Sequence, residues 1–335
     1  MSIYMQREPN YLCFTANTAW STVALTKTWS PTSITLETSS DWNNWTTHTI
    51  GSTITLSNVW DKVYFRNTST TTTWFTTASA NRYQFSLGGS INASWDITYL
   101  INKNSTKVLP ANWCFYNLFR SQTALRTTPE LPATTLTDYC YYYMFWWCSN
   151  LTTPPKVLPA MSVPTSAYGY MFRDSWITVA PKLPATTLTG NSNYISMFQS
   201  TKITDAPELP ATVLTNSCYN YMFANCANLV TPPALPAVTL VSKCYQCMFQ
   251  DCTSLETLCS IPALDIDGKC NQMYQWCTKI KLSTTQTWAY QTVYRVPIIW
   301  SWSGSLNNMF LSTWWTFTGT PTVNTNYYTS NVIVI

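Results

Sequence analysis

The residues of this 335-residue chain that could do chemistry are twelve cysteines, one histidine and a few carboxylates. Eight cysteines stand in four pairs, Cys140/Cys148, Cys218/Cys226, Cys244/Cys252 and Cys270/Cys277. Pairs that come and go together along the chain imply side chains that touch. They read either as a ladder of buried thiols or as disulfides within each repeat, which would require an oxidising environment. Cys244 and Cys247 form a C-x-x-C, but no second pair stands at zinc-finger spacing and no βαβ pattern surrounds it, so no metal site and no thioredoxin-like role is assigned. His48, in "NNWTTHTIGS", reads as a solvated strand residue, because no Ser or Cys motif nearby makes a triad. Glu130 and Glu208 share one repeat position and read as solvated loop charges, not as a glycosidase pair. No glycine-rich phosphate loop is present. The expectation is a protein that is not an enzyme, with no catalytic residue and no cofactor.

The charge balance narrows the partners. Only 10% of residues are charged, with 18 basic and 14 acidic residues scattered without runs, so the net charge of +4 forms no footprint for nucleic acid. No stretch reaches the ~18 apolar residues of a membrane span, and "MSIYMQREPNYLCFTANTAW" has no apolar core of a recognisable signal peptide. A surface kept polar by Thr, Ser and Asn suits an extracellular or cell-surface protein, or a phage virion part released by lysis.

Three segments must position these residues. Residues 1–103 carry short runs such as "TVALTK", "SITLETS", "KVYFRN" and "YQFSL", whose alternation predicts an antiparallel, Ig-like β-sandwich. Residues 104–282 follow a different period, anchored on Phe119, Phe145, Phe172, Phe198, Phe223, Phe249 and Tyr274. Self-similarity at about 26 residues predicts a solenoid of about seven coils. Within a coil, Cys140 and Met144, and Tyr141 and Phe145, stand four apart, which predicts a short helix. A short strand is expected to start at Leu125, Leu151, Ile177, Ile203, Leu229, Leu255 or Ile280, followed by an extended Pro-rich link. Residues 283–335 read as a C-terminal cap and β tail. The expected class is thus β-rich α+β.

The recurring Cys-Tyr-x-x-Met-Phe-x-x-Cys-x-x-Leu, joined by "APELPATTL"-like links, resembles the BspA-like leucine-rich repeats of bacterial surface proteins. The segment before it resembles the β-rich region that precedes such repeats in some gut-bacterial and phage proteins. The resemblance implies a short-helix, short-strand leucine-rich-repeat solenoid and a non-enzymatic surface or virion protein, an adhesin or receptor-binding protein, that binds a host-surface protein or glycan. A structural virion component such as a fibre or decoration protein, assembled as an oligomer, is the alternative. A carbohydrate-binding module using exposed Trp is the third.

The tryptophans raise a separate question. There are 17 Trp against 8 Gly, and Trp sits in strings such as "SSDWNNW", "NVWDKV", "ASWDI", "IIWSWSGS" and "STWWTF", where Asp-Gly or Gly-Asp would make an ordinary turn. The two positions after each anchor hold Ser, Asp and Asn in most repeats but Trp146–Trp147 in one and Trp276 in another. Three readings stand: UGA codons that the organism decodes as glycine, a binding face built from Trp146, Trp147, Trp176 and Trp276, or ordinary packing. Trp45 and Trp113 carry no turn signature and read as genuine Trp.

Overall fold

A computed structural model describes residues 10–280, apart from Thr32, Thr77, Ser260 and Leu264, together with residues 308–313. Most of the expected cap and tail, including Trp300, Trp302, Trp314 and Trp315, lies outside the described residues.

The N-terminal region is antiparallel β-structure. Strands β1 (Leu12–Ala16), β2 (Ser21–Thr28), β3 (Leu36–Ser39), β4 (Thr46–His48), β5 (Thr53–Leu56), β6 (Lys62–Asn67), β7 (Arg82–Gly88) and β8 (Ile91–Ser94) are rich in Thr, Val, Phe and Tyr, which fit a pleated, half-buried surface. They form two sheets. One runs β4-β3-β6-β1-β8 and then β9 (Leu125–Thr127), and the other runs β5-β2-β7. Phe14 of the first sheet meets Phe85 of the second with ring centroids 4.8 Å apart, so the two sheets share one core.

The β-region does not end at a linker. β9 belongs to the repeats yet pairs in parallel with β8, and the free edge of β7 bonds to the first repeat: Phe85 N–H donates to the Leu118 carbonyl at 2.8 Å. Gln84 Nε2 reaches the Arg120 carbonyl at 2.9 Å. Phe85 also lies flat on Phe119 at 5.1 Å, the first rung of an aromatic ladder that continues through Phe145, Phe172, Phe198, Phe223, Phe249 and Tyr274 to Phe310. A second ladder runs Phe115, Tyr141, Tyr168, Tyr194, Tyr219, Tyr245 at spacings of 5.6–6.0 Å. One buried cluster therefore extends from Leu12 to Phe310.

The repeats stack as expected from their period, but the helix-plus-strand leucine-rich-repeat solenoid does not form. Among the described residues of 104–280 there is no helix, and they close into no solenoidal coil. Each anchor segment is instead a ribbon of overlapping β-turns. In the second layer, Cys140, Tyr142, Met144, Trp146 and Cys148 each donate their N–H to the carbonyl three residues back. The intervening Tyr139, Tyr141, Tyr143, Phe145 and Trp147 donate theirs to Thr165, Ala167, Gly169, Met171 and Arg173 of the next layer. Every fourth residue, Tyr139, Tyr143 and Trp147, is left-handed with φ of 58–59°. The reason for the correction lies in the period. Residues repeating at 4.0 on a helix of 3.6 residues per turn would drift about 40° per step and leave the core. On the turn ribbon, two residues point in and two out in strict alternation, which keeps Cys140, Tyr141, Met144, Phe145 and Cys148 all buried.

The expected strands are also reduced. Among the expected starts only Leu125 lies in a strand, and the remaining parallel pairing between links is β10 (Ser162–Val163) with β11 (Thr187–Leu188) and single bridges such as Asp205 to Thr231. The prolines of the links lack the N–H a longer ladder needs. Leu151 and Leu229 instead close turns onto Cys148 and Cys226 and plug the core.

Candidate binding surface

The cysteines occupy two distinct columns. All twelve are buried free thiols. In one column, Cys148, Cys226, Cys252 and Cys277 each donate Sγ–H to the anchor carbonyl of the preceding layer, at 2.8–3.1 Å. Where this column lacks Cys, Ser175 and Thr201 give their hydroxyl to the anchor carbonyl of their own layer, Phe172 and Phe198. The other column holds Cys114, Cys140, Ala167, Asn193, Cys218, Cys244 and Cys270. Its Asn193 Nδ2 satisfies the carbonyls of Val163, Pro164 and Thr189, and its Oδ1 accepts from Thr215. Burial pushes Cys140 and Cys148 up to about 12 and Cys226 and Cys244 up to about 11, so these thiols stay protonated at neutral pH. The thiols are packing and hydrogen-bonding groups. Cys247 of the C-x-x-C is buried as well, with Sγ near Gln272 Oε1 at 3.5 Å.

Among the described residues no group of three His, Cys, Asp or Glu is placed to hold a metal, and no helix is long and apolar enough to cross a membrane. His48 departs from its reading as solvated. It is 7% exposed, edge-on to Phe65 at 5.3 Å, and its Nε2 has no partner, so burial lowers its pKa. Its strand edge faces the core because β4 pairs with β3 and places His48 opposite Leu36.

The outward positions of the ribbon make the notable surface. In the first three layers they carry Tyr116, Tyr142, Tyr143 and Tyr170, all half-exposed. Tyr142 and Tyr143 lie 4.3 Å apart, Tyr143 and Tyr170 4.8 Å, and Tyr116 reaches Tyr142 at 6.1 Å. Gly169 is part of the fit, since a Cβ there would stand 2.6 Å from the Tyr142 ring. Two guanidinium groups border the plate: Arg120 sits 4.2 Å over the Trp146 ring, and Arg173 lies 5.6 Å from Tyr170. Trp146 Nε1 donates to Asp174 at 2.9 Å, and Asp174 pairs with Arg173 at 3.3 Å.

The four tryptophans proposed as one binding face are not brought together. Trp146 belongs to the tyrosine plate. Trp147 projects outward at 58% exposure, 6.3 Å from Trp146. Trp276 shares the column of Trp147 but lies five layers on, roughly 24 Å away at the ~4.8 Å spacing of parallel layers. Trp176 is exposed in the third layer without a ring partner among the described contacts. The tyrosines were missed because a helical reading scatters them. The in-in-out-out period of "CYYYMFWW" would have placed them on one face.

A second concavity, a groove of about 650 Å³, lies where the β-region meets the repeats, lined by Trp95, Lys107, Pro129, Glu130, Pro154 and Lys156 among others. Glu130 thus borders a groove at the junction, its N–H bonded to the Trp95 carbonyl at 2.7 Å. No family model, curated protein or solved structure matches this chain.

Proposed function

We propose that this chain is a non-enzymatic surface or virion protein of the adhesin or receptor-binding kind, and that it engages a host-surface glycan or protein with the tyrosine plate of its first three layers. The plate is the observation that supports this reading. Tyr and Arg contribute large contact area and cation–π or hydrogen-bonding capacity at little entropic cost, and both are enriched where binding energy concentrates. The supporting layer is stiff, because alternate N–H groups of each ribbon bond to the next layer, so the rings are held in place before a ligand arrives. The motif likeness to BspA-like surface proteins points the same way.

A structural virion role is the second reading, favoured by the one buried core running from β1 to the eighth anchor, which would make a rigid spacer. Binding to arrayed host glycans and matrix proteins separates the two. The adhesin reading expects a ligand whose binding falls at least tenfold in the Tyr142→Ala/Tyr143→Ala variant with the fold intact by circular dichroism. Failure to bind any arrayed molecule, with particle assembly lost on gene deletion, would replace it with the structural role.

A further inference from the structure

We infer that Trp20, Trp29, Trp42, Trp60 and Trp95 stand at positions built for glycine, and that the organism making this protein decodes those codons as glycine. Among the described residues between 10 and 103 the left-handed positions are these five tryptophans, with φ of 54–74°, and Gly51 and Gly89, and no other residue type occurs there. A side chain with a Cβ meets the following carbonyl in that conformation, which makes a bulky residue an outlier where glycine is at ease.

The local geometry repeats the demand. Trp60 is the third residue of the turn Asn58–Asp61, closed by Asp61 N–H on the Asn58 carbonyl at 3.3 Å, and a positive φ at that place is the type II arrangement that selects glycine. Trp42 follows Asp41, whose carboxylate accepts the N–H groups of Asn43 and Asn44 in a tight loop, and its ring lies edge-on to Tyr64 at 5.7 Å, so its backbone and not its exposure makes the case there. Trp20, Trp29 and Trp60 hold their rings in solvent at 70–79% exposure.

Trp45, in the same region, is the internal contrast. It is not left-handed, its Nε1 donates to the Trp42 carbonyl at 2.9 Å, and Arg66 lies 3.9 Å over its ring. Trp45 thus has a use for its indole that the solvent-held rings of Trp20, Trp29 and Trp60 lack. In the repeats the third left-handed column holds Ser121, Asp174, Ser200, Asn225, Asp251 and Ser312 as well as Trp147 and Trp276, so side chains other than glycine are accommodated there and these two tryptophans stay outside the assignment. Trp113 is also left-handed, against its reading as a residue without a turn signature. Its column accepts Tyr139 and Lys243, and it stacks on Tyr139 at 4.1 Å, so it stays outside the assignment with Trp146. Glycine at residue 95 would remove the indole from the wall of the junction groove. The tyrosine plate would remain, so this inference and the proposed function stand or fall separately.

Tandem mass spectrometry of the protein from its native source tests it on one tryptic peptide, Thr28 to Lys62, which contains Trp29, Trp42, Trp45 and Trp60. The expected spectrum carries the mass of glycine at residues 29, 42 and 60 and tryptophan at 45, matched by UGA codons at the first three and UGG at the last. Tryptophan at residues 29, 42 and 60 overturns the inference. On recombinant chain, the quintuple variant Trp20→Gly, Trp29→Gly, Trp42→Gly, Trp60→Gly, Trp95→Gly is expected to melt at a higher temperature and Trp45→Gly at a lower one. A quintuple variant that melts lower overturns the backbone argument.

Discussion

The β-region and the repeat stack treat the left-handed conformation differently. Among the described residues of the β-region it occurs only at Trp and Gly, in isolated turns. In the stack it recurs every fourth residue and is occupied by Tyr, Ser, Asn, Asp, Lys, Cys and Gln as well as by Trp and Gly. The difference is what surrounds each residue. Every left-handed residue from Trp113 to Trp276, apart from Gly190 and Gly268, donates its N–H to a carbonyl of the following layer, as Tyr143 does to Gly169 and Tyr221 to Gln246. A cost of about 1–2 kcal/mol per residue is then met by a bond repeated in register on both sides. In the β-region Trp60 and Trp20 donate their N–H groups to the carbonyls of Ala16 and Ser57, at 2.8 and 3.4 Å, but without a register of like bonds on either side, so an isolated turn relies more on the residue itself and residue type is more telling there than in the ribbon.

That contrast breaks first, and hardest, at the ring that joins the two regions. Phe85→Ala removes the rung between Phe14 and Phe119 and should cost about 3–5 kcal/mol. Hydrogen exchange is expected to lose protection in β7 and in the first two layers together; loss confined to β7 would mean that the regions fold independently. Next comes Asn193→Leu, which removes one donor from each of the Val163, Pro164 and Thr189 carbonyls, the first two keeping a backbone N–H partner, and should cost roughly 1–2 kcal/mol in urea unfolding. The thiol column should be cheaper to disturb. Cys252→Ala loses one bond to the Phe223 carbonyl, about 1 kcal/mol, while Cys252→Ser is expected to recover most of it because Ser175 and Thr201 already serve in that column. Iodoacetamide should leave the folded chain unlabelled at pH 8 and label it in urea, and rapid labelling of the native state would contradict the raised thiol pKa values.

The smallest effect is a pH slope confined to the β-region. His48 is buried and its folded pKa lies below the unfolded value, so below about pH 6.5 the unfolded chain binds the proton and the native one does not. Stability is fully present above that pH and falls as pH drops through it. Thermal melts at pH 7 and pH 5.5 should separate, and His48→Leu should narrow the gap; an unchanged gap would assign the slope to other groups.

Much of the β-region was legible because alternation with period two has one structural meaning. In "YQFSL" that alternation puts Tyr83 and Phe85 inside with Gln84 and Ser86 turned outward, and the run became part of β7. The repeat boundaries were legible too, since Phe119 to Tyr274 recur at near-constant spacing and stack as rungs. The conformation inside each repeat was not. Cys140, Met144 and Cys148 at intervals of four satisfy a short helix and a turn ribbon alike over so few residues, and only the hydrogen bonds to Thr165, Ala167 and Gly169 of the next layer distinguish them. The tyrosine plate went unread for the same reason, because the four-residue period that gathers Tyr142, Tyr143 and Tyr170 belongs to the ribbon. His48 was misread because its exposure depends on which face of β4 meets Phe65.

The sequence by itself determined the repeat, its spacing and the aromatic anchors, and marked Trp42, Trp60 and Trp95 as standing in turn strings, because periodicity and turn chemistry are local. Only the tertiary structure decided that the repeats are turn ribbons, that the first of them docks on the edge of β7, and that the tyrosines form one plate. In each of these the deciding hydrogen bond or ring contact joins residues some 25 or more positions apart, beyond the reach of any local pattern.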